Sequence, residues 1–414
     1  MKMIIIGGGA AGLVAAISAA RSLKASGRDG EVLVLEGGQK AGKKLLSTGN
    51  GHCNLTNLKE NAACWHSDVP ALTGELLGRF GAKETQEFFD SLGIPCVSKE
   101  GYVYPKCREA AAVREALVAE CEALGVRLLY GRKAEQLLSG AASGGSAFTV
   151  IAGEERFSAD RLILAAGGMA FPKSGSDGSG YQLAMDAGHS VIQPLPALVA
   201  LTAAESYTRQ LAGVRVEAAA TLTVNGIKRR TEEGEIQLTD YGISGIPIFQ
   251  LSGDAVEALC GEKEVKVFLN LWEGRSEPDI LYLLKQRVKA RPEQETGELL
   301  RGVVPDKMIP VLLNASGIPL HVPTGGLAPA LLNRLSREMA GLCFTVNGAK
   351  DFDSAQVTRG GVPLAEVDRS LQSRKTPGLY FAGEILNVDG LCGGYNLQWA
   401  WASGYLAGQA AVRA

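Results

Sequence analysis

The stretch MIIIGGGAAGLVAAISAA, Met3 to Ala20, decides how the first part of this 414-residue sequence folds. Met3 to Ile6 is a short run dominated by isoleucine, Gly7-Gly8-Gly9-Ala10-Ala11-Gly12 fits G-x-G-x-x-G, and an Ala-rich helix is predicted from Leu13 to Ala25. Gly27 and Gly30 read as turn residues, Glu31 to Leu35 as a second strand, and Glu36 closes it. The order strand, glycine turn, helix, strand, acid has a mechanical logic. Gly7 permits the tight turn, Gly9 lets the backbone approach a pyrophosphate, and Gly12 lets helix and strand pack closely. The helix start at Ala10 and Ala11 faces the phosphates, and Glu36 accepts the ribose hydroxyls. The same carboxylate repels a 2′-phosphate, which disfavours NADP in this pocket and leaves NAD and FAD.

Composition narrows the function classes. A formal charge of −2 gives no basic excess to neutralise a nucleic-acid backbone or to dwell on an anionic membrane. A small-molecule substrate is therefore expected, with no nucleic-acid partner. Eight cysteines show no C-x-x-C pair and four histidines no H-x-x-x-H spacing, so neither a dithiol couple nor a structural metal is expected. Three consecutive glycines in MKMIIIGGGAAG argue against a membrane anchor or a secretory signal, and the pattern runs on into a folded unit. The expected setting is cytoplasmic, with reduced cysteines and no membrane partner. The oligomeric state stays open.

The choice between NAD and FAD falls to the rest of the chain. Val126 to Tyr130, Ala134 to Leu138, Phe148 to Ile151 and Leu162 to Ala165 read as short strands, the last feeding into Ala165-Ala166-Gly167-Gly168. Far downstream, GLYFAGEILNVDG (Gly378 to Gly390) is a buried apolar strand ending in Gly383-Glu384. An extended FAD needs such a second approach, because its ribityl chain and ring system lie beyond the first glycine turn. GLCGGYNLQWAWASG (Gly390 to Gly404) then opens a helix near Gly393. Its free N–H groups and dipole suit the negative charge of a reduced flavin. Gly393 and Gly394 let the backbone reach the ring, and Tyr395 and Asn396 wall it or hydrogen-bond it.

On these stretches, together with KKLLSTGNGHCNLTN (Lys43 to Asn57), LAAGGMAFPKSGSDGSGY (Leu164 to Tyr181), TDYGISGIP (Thr239 to Pro247) and VTRGGV (Val357 to Val362), the sequence resembles the YhiN-like or BaiN-like bacterial flavoproteins nearly end to end. The resemblance implies an α/β fold with a Rossmann-like FAD-binding domain of the two-dinucleotide-binding-domain type, split between the two parts of the chain. It also implies an inserted β-barrel with a helical cap. The expected divisions are 1–190 and 346–414 for FAD, 191–272 and 341–345 for the barrel, and 273–340 for the cap. FAD contacts carried over are the glycine turn, Glu36 and Gly37, Lys43, Lys44 and Leu45, Gly51, His52, Cys53 and Asn54. Ala134, Ala166 to Gly168, Gly383, Glu384, Asp389 and the Gly393-to-Asn396 turn complete the set. Two positions depart from the family pattern. Lys43 stands where an Arg is usual, which keeps the charge but not the bidentate fork, and His52 replaces the usual Arg of G-R-C-N.

The insertion reads as short strands (Thr221 to Val224, Ile236 to Thr239, Glu264 to Leu269) and as helices near proline (Pro278 to Lys289, Pro305 to Asn314, Ala328 to Ala340). It holds no second glycine fingerprint after a strand, so NAD(P)H is expected only as a transient reductant. Gly175 to Gly180 follows a loop and reads as a helix start in the FAD domain. Tyr241, Ser244, Thr358 and Arg359 are the expected substrate anchors, polarising a carbonyl or carboxylate between flavin and insertion. Tyr241 or Cys392 is the expected proton source, with Arg359 also catalytic. The leading expectation is reduction of an activated C=C bond by hydride transfer through flavin N5. The alternatives are an aminoacetone-like amine oxidase producing peroxide, or a flavin-bearing RNA-modifying or RNA-binding protein, whose one basic cluster is Lys228-Arg229-Arg230.

Overall fold

The computed structural model describes residues 1–140 and 147–413, which divide into two compact units, Met1–Leu195 with Gln356–Ala414, and Pro196–Ala355. In the first unit, strand β1 (Lys2–Ile6) runs into helix α1 (Ala10–Ser26) and returns as β2 (Glu31–Glu36). Strands β3 (Arg127–Tyr130), β4 (Arg161–Leu164) and β5 (Leu379–Phe381) complete a parallel sheet of order β5-β4-β1-β2-β3. Ile4 pairs with Leu33 on one side and Leu162 on the other, and Leu162 pairs with Leu379. Met3, Ile4, Ile5, Leu33, Leu162 and Leu379 are all buried, as strands covered on both faces must be. The chain therefore threads into the middle of the sheet at its start and returns to its edge more than three hundred residues later.

Helix α2 (Tyr395–Arg413) packs along α1. Small residues make this possible. A Cβ added to Gly404 would lie 2.4 Å from the Ala11 carbonyl oxygen, and one on Gly408 2.3 Å from that of Ala15. Trp399 and Trp401 fill the space around α2, their indole N–H groups donating to the Gly383 and Leu55 carbonyls. The helix expected from Gly175–Gly180 is present as Ser179–Asp186, entered through Gly178 in a left-handed conformation.

The second unit is a closed barrel of six strands in the order Leu201–Ala203, Gly242–Ser244, Ile227–Leu238, Arg215–Val224, Val265–Asn270, Leu342–Ala349. Alternate residues Ala218, Ala220, Leu222 and Val224 are buried, the period-two signature of a strand with one wet face. Helices Glu277–Ala290, Met308–Ala315 and Pro329–Ala340 form the helical part, close to the ranges predicted from the prolines. Helix Ile246–Cys260, which packs against the barrel strands, was not expected.

Candidate active site

The glycine turn holds its shape for steric reasons that can be measured. Gly7 has φ 101°, and a Cβ there would lie 2.5 Å from the Ala165 oxygen. On Gly12 it would lie 1.8 Å from the Gly7 oxygen. At Gly9 it would meet nothing within 4 Å, and no side chain caps α1 at that residue. The first turn of α1 thus presents backbone N–H groups at an open face, which is what an anion at a helix start requires. Glu36, at the end of β2, accepts the Gly8 N–H at 2.8 Å and the Gly38 N–H at 2.6 Å. A carboxylate has about four acceptor positions, so this leaves capacity for hydroxyl donors.

The second half of the site is built where α2 begins. Gly393 (φ 118°) and Gly394 (φ 100°) both occupy the conformation that side chains avoid. A Cβ on Gly394 would lie 2.8 Å from the Thr56 carbonyl and from Asn54 Oδ1. Asn57 Nδ2 donates to the Gly393 carbonyl at 3.0 Å. The segment Cys53–Asn57 is therefore laid against the glycine pair, and Asn54 Oδ1 is left there as a buried acceptor with no partner among the described residues. A buried unpaired carbonyl is costly unless something supplies a donor. Burial pushes the Cys53 thiol up to about 12, partly offset by its bond with Thr48, so it is an inert neighbour. Leu45 and Ala134 are likewise buried packing residues.

Several side chains have other uses than those expected. Asn396 does not project from the turn. Its Oδ1 accepts the Gly390 N–H and its Nδ2 donates to the Gly390 carbonyl, both at 2.8 Å, so the amide clamps the loop before α2. Tyr395 is buried edge-on against Trp65, ring centroids 5.3 Å apart, and Trp65 Nε1 donates to its carbonyl. Lys44 pairs with Glu384 at 2.8 Å, and the other oxygen of Glu384 accepts the Thr358 N–H at 3.0 Å. Lys43 donates to the Lys173 carbonyl.

Thr358 corrects the sequence reading. It is fully buried, and its hydroxyl accepts the Met169 and Ala170 N–H groups at 2.7 and 3.0 Å, fastening the loop after Gly168 instead of anchoring a substrate. Arg359 is corrected too. Its guanidinium is paired with Asp389 at 3.2 Å, and the two side chains are only 12% and 6% exposed. Its charge is neutralised within the protein, so it is not a free anion receptor. Asp389 also accepts from His66 Nδ1 at 3.0 Å, giving an arginine–aspartate–histidine chain whose arginine and aspartate are buried and whose histidine is partly exposed. Nothing in the sequence spacing pointed to His66, because it comes from a strand, Trp65–Ser67, that meets Val388–Gly390 only in the folded sheet. Cys392 keeps its proton, since burial raises its thiol. Tyr241 and Ser244 belong to the barrel unit, Ser244 on a barrel strand opposite Gln237, and Lys350 Nζ lies 4.2 Å from the Tyr241 ring centroid.

The HI0933-like protein Rossmann domain family matches residues 1–410. The sequence is 43% identical to the 3-dehydro-bile acid delta(4,6)-reductase of Clostridium scindens, over 99% of this chain and 98% of that protein. The chain belongs to the HI0933-like family. It is an FAD-dependent oxidoreductase. At greater distance it is 30% identical to the ribosomal RNA dihydrouridine synthase of Escherichia coli, over 99% of this chain and 98% of that one. Among solved structures it is similar to 3-ketosteroid delta1-dehydrogenase from Sterolibacterium denitrificans, at 13% identity and TM-score 0.49, with 99% of both chains covered.

The local structure fits the cofactor at both ends. The open, uncapped start of α1 at Gly9 suits a diphosphate, and the orphaned Asn54 Oδ1 beside the Gly393-Gly394 backbone suits a ring bearing N–H donors. No helix among the described residues is long and apolar enough to cross a membrane.

Proposed function

We propose that this enzyme reduces an activated C=C bond conjugated to a carbonyl, in a steroid-like acid, with NAD(P)H as the electron source. The observation that carries the reading is 43% identity, over 99% of the chain, to a protein named as a bile-acid reductase. Bound FAD supplies a two-electron hydride carrier that can be loaded by one substrate and emptied by another. The protein's own residues do the rest. Gly7, Gly9 and Gly12, with the first N–H groups of α1, hold the diphosphate, Glu36 takes the ribose, and the Gly393-Gly394 backbone with Asn54 holds the ring. The start of α2 favours the negative charge of the reduced state. Cys392, protonated at neutral pH, is the proposed source of the proton that completes the saturated product. Arg359 and Asp389 act as a neutral, rigid support below the Gly390 loop.

The decisive experiment is anaerobic. The yellow holoenzyme is reduced with NADH or NADPH and then mixed with a 3-oxo-Δ4,6 steroid acid. Return of the 450 nm absorbance with loss of the dienone ultraviolet band is expected. A flavin that neither nucleotide bleaches, or that stays bleached after the dienone is added, sinks the reading. A second reading has its own support, since the relatives at 29% and 30% identity are named ribosomal RNA dihydrouridine synthases. It too would saturate a C=C bond next to a carbonyl. Against it, the strand bearing Lys228, Arg229 and Arg230 also carries Glu232, Glu233 and Glu235, with Arg230 paired to Glu232. Dihydrouridine formed in ribosomal RNA under the same anaerobic conditions would favour it.

A further inference from the structure

The structure ties His52 to the backbone of a second cationic residue, Arg108. His52 Nδ1–H donates to the Arg108 carbonyl at 2.8 Å, and the Arg108 N–H donates to the Pro105 carbonyl at 2.8 Å. Between these two bonds Arg108 has φ 55°, the left-handed conformation that residues with side chains seldom adopt. The turn sets its guanidinium 5.4 Å from the centroid of the Tyr104 ring, within cation–π range. Tyr104 and Tyr102 are alternate residues of the Tyr102–Pro105 strand and share one face of it. That face borders the Gly393 turn proposed to hold the flavin ring. A Cβ on Gly393 would lie 2.7 Å from the Tyr102 ring, and one on Gly49 3.8 Å from that of Tyr104. Burial pushes the Tyr104 phenol up, with Tyr102 adding to the rise, Arg108 opposing it and Cys392 adding again, so the Tyr104 phenol feels all three groups. Among the described residues no carboxylate lies within ion-pair distance of Arg108, whereas Arg359 is tied to Asp389.

We infer that Arg108, stacked on Tyr104 and held by His52, receives the carboxylate of the substrate, while the Tyr102–Tyr104 face lies against its apolar body. The inference rests on the steroid-acid reading above. A guanidinium grips a carboxylate through two parallel N–H···O bonds, and stacking on an aromatic ring fixes the plane of that fork in advance. A compact ammonium at the same place would keep the charge but not the fork.

The test uses flavin-loaded oxidised protein and a saturated 3-oxo steroid acid, which has no C=C bond to reduce, alongside its methyl ester. Both are titrated calorimetrically. The acid is expected to bind the native protein on the order of ten-fold more tightly than the ester. Arg108→Gln removes that preference by weakening the acid alone, and Arg108→Lys restores only part of it. The 450 nm absorbance and melting temperature of each variant report that it is folded and loaded. Equal affinity of the native protein for acid and ester, a preference that survives in Arg108→Gln, or binding of neither ligand overturns the inference. Turnover of the dienone is scored separately. An acid preference lost in Arg108→Gln without dienone reduction supports the anion site and counts against the reductase, and dienone reduction without the preference does the reverse.

Discussion

Asp389 holds together three segments that are far apart in sequence. Its carboxylate meets Arg359 and His66 while only 5% of the residue is exposed. Removing its charge breaks, from one side, an ion pair to a guanidinium that is only 12% exposed, which costs more than the pair itself contributes. Asp389→Asn is therefore expected to lower stability by roughly 3 kcal/mol, read as a drop in the urea midpoint at unchanged slope. FAD should wash out of the variant more readily, because Gly390 follows directly and leads into the α2 turn. At this scale the sequence was a good guide wherever one residue type has one use. The close contact of Gly12 with the Gly7 oxygen and of Glu36 with the Gly8 N–H lies within one strand-turn-helix unit, whereas Gly7 is also pressed against Ala165 from a distant strand. Thr358 and Arg359 were misjudged because VTRGGV names polar groups without naming their partners, and those partners are Met169, Ala170 and Asp389.

At the scale of elements, the contact between α1 and α2 matters most. It brings the helix proposed to open at the flavin ring against the helix proposed to open at the diphosphate, with Gly404 and Gly408 letting the backbones approach. Gly408→Leu would press a side chain into the Ala15 carbonyl at 2.3 Å, and backbone cannot step aside as a flexible side chain can. Overpacking of this kind costs about 1–3 kcal/mol. The expected outcome is a lower melting temperature together with a reduced ratio of 450 to 280 nm absorbance after gel filtration. Full flavin content at native stability would show that the helices need not meet so closely. Elements with strong local signals were legible, including β1, α1, β2 and the proline-opened helices. The strand Arg215–Val224 was legible only in its last four residues, since its Ala218-Ala219-Ala220 core has low intrinsic β preference and becomes a strand through barrel pairing. Helix Ile246–Cys260 begins with Ile-Pro-Ile-Phe, a start that reads equally as an apolar strand.

Across the first unit, the connection leading into β5 is secured by one polar network that surrounds the buried His189. His189 has no exposed side-chain surface, its Nδ1 lies 2.8 Å from Glu366 and its Nε2 2.7 Å from Ser373, while Glu366 also binds Ser190 and Lys375. Burial raises the Glu366 carboxyl, but the bonds from Lys375 and Ser190 outweigh it and bring the group down to about 2 from its usual 4.5. Its stabilising effect is complete above pH 4.5 and is lost as the pH falls through 2. Burial lowers His189 from its usual 6.5, against the pull of Glu366, so protonation of the unfolded chain begins to draw on stability once the pH drops below 6.5. Native protein should therefore lose stability in two acid phases, seen as denaturant midpoints measured from pH 7 down to 3. Glu366→Gln should be weaker at neutral pH and show a shallower decline below pH 4.5. An unchanged acid limb in that variant would mean the network contributes little.

What the sequence by itself determined was the strand-turn-helix start of the Rossmann-like unit, the barrel-and-helix character of the insertion and the return of a C-terminal strand to the first unit. These follow from steric limits on glycine, from hydrophobic period and from local turn chemistry, all written within a few residues. Only the tertiary structure decided which charges are free and which are spent. The pairing of Asp389 with Arg359 and His66, the burial of Thr358 and the bond from His52 to the Arg108 carbonyl each depend on segments separated by many residues, and an ion pair or a hydrogen bond of that kind exists only once folding has brought its two halves within a few ångströms.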